Sequence, residues 1–256
     1  SRFTADERAT ILAVPDKTDS SQTSTNPEGP ASGSLPLVHV IVPASSWQGL
    51  SDGLNGIAID LPALRVRPTN GAYLPLNLQV KDPLWLQRNL LDFSFSVKPG
   101  EARTIWLDTR DRLLPQNKAL YLTIACASPE FGPASLDGAR LRLIFKPRTE
   151  ALAEHVQDRF TQARDNYAQL IEEHTTNPRL NQYVRFAADV NDLLNAQPDH
   201  WLGMTYWYDS SRSHTKPPFT QPVPPEGVPL WAFRQVTQLR NLSSFVNWYI
   251  DNRQIE

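Results

Sequence analysis

The 256-residue chain is 40% apolar and 20% charged, enough to bury the core of one large domain or of two ordinary ones. Its formal charge of -2 argues against a nucleic-acid partner, which normally needs a basic face, and no run reaches the ~18 apolar residues of a membrane span. The single Cys126 excludes an internal disulfide; lying in the apolar run Tyr121–Ala127, it reads as a buried thiol and not as a nucleophile.

Residues 1–36 read as a flexible N-terminal segment, because from residue 16 onward Ser, Thr, Pro, Gly and Asp dominate and apolar groups are too few to fold alone. The start at Ser1, without Met or a signal-peptide pattern, is what a processed or excised product would show.

Residues 37–147 read as an antiparallel β-sandwich. Apolar and polar residues alternate along Leu37–Val42, Gly56–Leu61, Leu64–Arg67, Leu76–Val80 and Leu91–Val97. Lys98-Pro-Gly-Glu101 is a turn, with Arg103–Leu107 expected to return as the partner strand. Tyr121–Ala127 and Ala139–Phe145 close a set of about eight short strands. Gly53-Leu-Asn-Gly56 reads as a turn.

Residues 148–256 read as a helical region. Leu152, Val156, Phe160, Ala163, Tyr167 and Leu170 recur at helical spacing, with Thr149 as the expected N-cap. A second helix is expected from Asn177-Pro178 to Gln197, packed antiparallel on the first. Then comes Trp201-Leu-Gly-Met-Thr-Tyr-Trp-Tyr208, an aromatic loop, followed by a proline-rich loop over Thr215–Pro229 and a third long helix from Trp231 to Tyr249. The charged end, Asp251 to Glu256, has no Gly or Pro stop and suggests continuation into a longer chain. The fold class is therefore α+β and multidomain: a sandwich, a helical hairpin and a further helix.

Motifs narrow the chemistry without fixing it. There is no phosphate-binding glycine loop and no G-x-S-x-G elbow, and no cofactor is implied. The five histidines show no metal-ligand spacing, so no metal is expected. His155 and His174 read as solvated helix-surface residues, His39 as facing an edge or solvent, and His200 and His214 bracket the aromatic segment. The mixed charges Glu154, Asp158, Arg159, Arg164 and Asp165 read as a solvated or domain-facing surface.

Flat aromatic rings beside carboxylates and amides suit sugar rings. Trp201, Tyr206, Trp207, Tyr208, Asp209, Trp248 and Asn252 are accordingly the candidate substrate-binding residues; packing of the rings at a domain junction is the competing reading. A lyase needs a Tyr or His base and a group that neutralises a carboxylate, and a glycosidase needs paired acids. Tyr208, His214, Asp251 and Arg253 are the candidate catalytic residues, and Asp199 and Asp209 further candidate acids. On the sandwich, Trp47, Trp85 and Trp106 are available for a binding module.

The closing stretch Phe245-Val-Asn-Trp-Tyr-Ile-Asp-Asn-Arg-Gln-Ile-Glu256, with the order sandwich, hairpin, aromatic loop, helix, resembles large secreted bacterial polysaccharide-degrading enzymes. In those a β-sandwich precedes an (α/α) toroid whose inner helices form the sugar cleft. The resemblance implies that Asn247, Trp248, Asp251, Asn252 and Arg253 lie near substrate at the inner end of a toroid helix. It also implies a secreted or periplasmic polysaccharide lyase or glycoside hydrolase whose partners are a poly- or oligosaccharide and the remainder of its own chain. This chain has far fewer long helices than a closed toroid, so activity would need sequence beyond Glu256. A non-catalytic carbohydrate-binding module and an assembly protein with an aromatic subunit contact are the alternatives.

Overall fold

A computed structural model of the chain describes residues 8–13, 36–172, 181–210, 218–220 and 222–254. The chain is mixed α+β and divides into two compact units, residues 1–207 and 208–256. The expected division at 147/148 thus falls inside the first unit.

That unit is built on two four-stranded antiparallel sheets. One contains β1 (Arg8–Ala13), β8 (Arg140–Lys146), β3 (Gly53–Leu61) and β6 (Arg103–Arg112), in that order. The other contains β2 (Leu37–Val42), β7 (Leu120–Cys126), β4 (Leu74–Lys81) and β5 (Asn89–Val97). Every connection except β4–β5 passes from one sheet to the other, the strand order of a double-sheet jelly roll. The inward residues of both sheets, such as Val40, Leu78 and Leu122 from one and Ile57, Leu107 and Leu143 from the other, form one continuous core. Cys126 is buried in it, and burial pushes its thiol pKa up.

Five strand-level expectations need correction. Leu64 and Val66 are buried and Arg65 and Arg67 exposed, but Leu64–Arg67 is not a strand. Its backbone bonds elsewhere, Leu64 O accepting from Gly100 N and Arg67 N donating to Glu130 Oε2. Alternation reported burial there, not ladder pairing. Gly53–Gly56 is no turn; it opens β3 with a bulge. Lys98–Glu101 does turn, with Gly100 at φ 79°, yet β5 pairs with β4 and β6 with β3, so the turn links the two sheets instead of closing a hairpin. Arg8–Ala13, inside the segment expected to be flexible, is a strand in register with β8. Of the tryptophans counted as available, Trp47 is buried and donates Nε1 to Pro115 O at 3.1 Å.

Helix α1 (Arg148–Glu172) begins directly after β8, with Pro147 O accepting from Glu150 and Ala151; the cap is therefore Pro147 and not Thr149. It lies on β3 and β6 of the first sheet. Small residues allow this approach: a Cβ on Gly53 would overlap that of Ala151. This explains why β3 is buried on both faces. Helix α2 (Gln182–Ala196) runs antiparallel to α1, since Arg148 bonds Ala196 O at one end and Gln182 bonds Gln169 near the other. The expected start at Asn177-Pro178 and His174 lie outside the described residues.

The aromatic segment is not a loop. Trp201–Asp209 is helix α3, opened by His200, whose Nδ1 accepts from Gly203 N at 3.0 Å. A Cβ on Gly203 would stand 2.7 Å from Leu193 Cδ2, so glycine is what lets α3 meet α2. In the second unit, α4 (Leu230–Arg253) matches the expected third helix. No described helix is long and apolar enough to cross a membrane.

Candidate functional site

The residues expected to bind sugar are divided between the two units. In the first unit Tyr206 packs on Tyr167 and Phe160, with ring centroids 4.8 and 5.8 Å apart, and Trp207 lies 6.3 Å from Phe186. These two rings face a small core of Ala163, Phe186 and Val190, so α3 fastens α1 and α2. Tyr206 and Trp207 are partly buried by this packing, and Trp201 is half exposed.

In the second unit Tyr208 meets Phe219 edge-on at 5.9 Å, and Asp209 is exposed. Arg253 lies over the Trp248 ring at 5.9 Å, Asn252 bonds Trp248 O within its own helix, and Asp251 is exposed. His214 lies outside the described residues. Asn247 is exposed on α4, and Asp199 is exposed in the link between α2 and α3.

The strongest concentration of chemistry lies where α1 and α2 meet the sheets. Arg159 on α1 is fully buried. Its guanidinium grips Asp82, from the β4–β5 connection, through two bonds of 2.7 and 2.9 Å. It also reaches Asp192 at 2.7 Å and Asp189 at 3.1 Å on α2. Asp158 takes a two-pronged bond from Arg88 at 2.8 and 2.5 Å and another at 2.5 Å from Arg112, also fully buried, on β6. The charges read as a solvated or domain-facing surface are therefore domain-facing at Asp158 and Arg159. His155 is likewise buried and not solvated.

Electrostatics follow from this geometry. Burial opposes ionisation of Asp158, but the Arg88 and Arg112 guanidiniums overcome it and hold the carboxyl well below its usual range. Burial likewise works against charge on Arg159, and the Asp82, Asp192 and Asp189 carboxylates more than restore it. Asp189 is pushed up to about 6, chiefly by burial, although Arg159 pulls the other way. His155 is brought down to about 3 by burial, then by the Arg112 and Arg159 charges. It is neutral: Nδ1 accepts from Leu113 N, so the proton sits on Nε2, facing Asp192 Oδ2 at 3.5 Å.

In front of this cluster opens a cleft of about 570 Å³, within the usual range for small-molecule sites. Its walls include Asp52, Arg148, His155, Asp192, Asn195 and Asn117. Gln116 braces the rim, accepting from Gly49 N at 2.9 Å and donating to Leu50 O at 3.1 Å. The lining sets donors (the Arg148 guanidinium and the Asn117 and Asn195 amides) beside the Asp52 and Asp192 carboxylates. Burial raises the Asp192 carboxyl above its ordinary value, although Arg159 pulls the other way.

Among the described residues no group of three or more His, Cys, Asp or Glu could hold a metal ion. Sequence reasoning missed Arg88, Arg112 and Asp189 entirely. The one available signal was charge placed three and four apart beside the apolar stripes, as at His155, Asp158 and Arg159 and again at Asp189 and Asp192. No protein-family model matches this chain, and no curated protein matches it.

Proposed function

We propose that this chain is the front portion of a carbohydrate-active enzyme, a secreted or periplasmic polysaccharide lyase or glycoside hydrolase. In this reading the two sheets form a sandwich that precedes an (α/α) toroid. The observation that carries it is α4, a helix with no buried residue. It exposes Trp231, Leu239, Leu242, Phe245, Trp248 and Ile250 among other large apolar side chains, with Trp231 at 70%. A long helix that is apolar on several sides belongs inside a larger helical layer. The polar cleft beside α1 and α2 supports a sugar ligand by its mixture of donors and acceptors.

The coding sequence after Glu256 and a glycan array test this together. Paired amphipathic helices downstream, with glycan binding by the longer gene product, are the expected result. An immediate stop codon, or a longer product that binds no glycan, overturns it.

A binding module is the second reading, favoured by Trp106. It stands 48% exposed on β6, with the Arg142 guanidinium 4.7 Å from its ring centroid. Asp60 holds Arg142 at 2.6 Å and accepts from Thr104 at 2.7 Å, giving an aromatic surface edged by polar groups. Loss of glycan binding in Trp106→Ala but not in Trp201→Ala would favour this module.

A further inference from the structure

The outward face of the second sheet belongs neither to the cleft nor to the surface around Trp106. Alternation along β4 buries Leu76, Leu78 and Val80 and turns Asn77, Gln79 and Lys81 outward. The register sets Asn77 opposite Ser94 and Gln79 opposite Asp92. Asn77 Nδ2 donates to Asp92 Oδ1 at 2.7 Å and to Ser94 Oγ at 3.0 Å. Gln79 Nε2 donates to Asp92 Oδ2 at 2.9 Å, and Lys81 Nζ donates to Gln79 Oε1 and Asn89 Oδ1, each at 2.7 Å. Asn89 Nδ2 closes the set on Asp92 Oδ2 at 3.1 Å.

Side chains on an exposed face ordinarily bond water or backbone, and side chain–side chain bonds are the minority class. On this face they hold one another in place across two strands. Beside the array lies a groove of about 320 Å³, walled by Pro75, Phe95, Ala125 and Ala127 and carrying Asn77, Ser94 and Ser96 as its polar groups. Lys81 and Asp92 balance in charge, and the other members are neutral amides and hydroxyls. Such a surface favours no ionic ligand. It offers fixed donors and acceptors next to small apolar contacts.

We propose that this face binds a neutral oligosaccharide. Asn77, Gln79 and Ser94 hydrogen-bond its hydroxyls while Pro75, Ala125 and Ala127 meet the C–H face of a ring. Both Nδ2 hydrogens of Asn77 are engaged within the array, which leaves Oδ1 as the acceptor it presents to a ligand. Because the side chains are already held, binding loses little rotamer freedom. The proposal rests on the carbohydrate reading and adds to it a second site, apart from the cleft beside α1 and α2.

The test is a titration of the chain with neutral hexaoses of β-glucan, α-glucan, xylan, mannan and galactan, alongside an acidic hexuronate oligomer. The side-chain amide resonances of Asn77, Gln79 and Asn89 are followed by NMR. Expected is a shift of these signals with at least one neutral hexaose, and at least tenfold weaker binding in Asn77→Ala/Gln79→Ala at unchanged Tm. Ser94→Ala gives a milder version of the same readout should the double variant unfold. A neutral hexaose that shifts only Asn117 and Asn195 in the cleft, or that binds the double variant as tightly as the wild type, overturns this site and leaves the carbohydrate reading standing. So does a response of these amides to the hexuronate alone. No response anywhere to any of the oligomers overturns both.

Discussion

At the scale of single residues, Arg159 decides the most. It neutralises Asp82 in a fully buried pair while holding two acids of α2. Removing it would leave Asp82 buried without its main cation, the situation in which a broken ion pair costs about 3–5 kcal/mol. Arg159→Met should therefore lower the unfolding free energy by about that much in urea; a loss below about 1 kcal/mol, the scale of a surface pair, would contradict that role. The same cluster makes a pH prediction. His155, brought down to about 3 by burial and by neighbouring arginines, contributes stability that is complete above its ordinary 6.5 and shrinks as pH falls. Asp189, raised to about 6, runs the other way: its contribution is present below 3.8 and is lost as pH rises through about 6. Between pH 4 and 6 the two slopes oppose, each at most about 1.4 kcal/mol per pH unit. Asp189→Asn removes one of them. The variant's urea midpoint should then drop more steeply than the wild type's from pH 6 to pH 4, and parallel profiles would count against the assignment.

At the scale of elements, alternation, a turn signal and apolar runs located seven of the eight described strands and helical spacing located α1, α2 and α4, because burial imposes these patterns directly. What sequence could not show was partnership. Leu64–Arg67 alternates as well as any strand yet pairs with none, and β5 and β6 flank a well-formed turn yet belong to different sheets. Arg8–Ala13 was hidden by the polar segment that follows it. The aromatic stretch looked like a loop because its rings follow no single stripe; α3 stands because Gly203 lets it meet α2 and His200 caps it. Gly203→Ala should accordingly destabilise the chain by about 1–3 kcal/mol through overpacking, measured by thermal unfolding, whereas an unchanged Tm would mean that α3 does not dock so closely. The cleft residues Arg148, His155 and Asp192 were unreadable as a set, since only the packing of α1 against α2 brings them together.

At the scale of the whole molecule, one unit offers two antiparallel sheets with a helical pair locked to them by buried charge, and the other a helix with many exposed large apolar side chains. The proposed function joins these as the front of a polysaccharide-degrading enzyme. If α4 belongs to a helical layer, Leu239→Asp/Leu242→Asp should reduce self-association of this chain in light scattering, yet lower the Tm of the longer gene product. Equal melting of the two longer forms would remove α4 from any such layer. The most direct test is product analysis by mass spectrometry after the longer gene product has been incubated with a polysaccharide panel. Shortened chains are expected from at least one polysaccharide, bearing either an unsaturated end, as elimination leaves, or a hydrated one, as hydrolysis leaves. A folded, monodisperse product that leaves every polysaccharide intact would contradict the assignment.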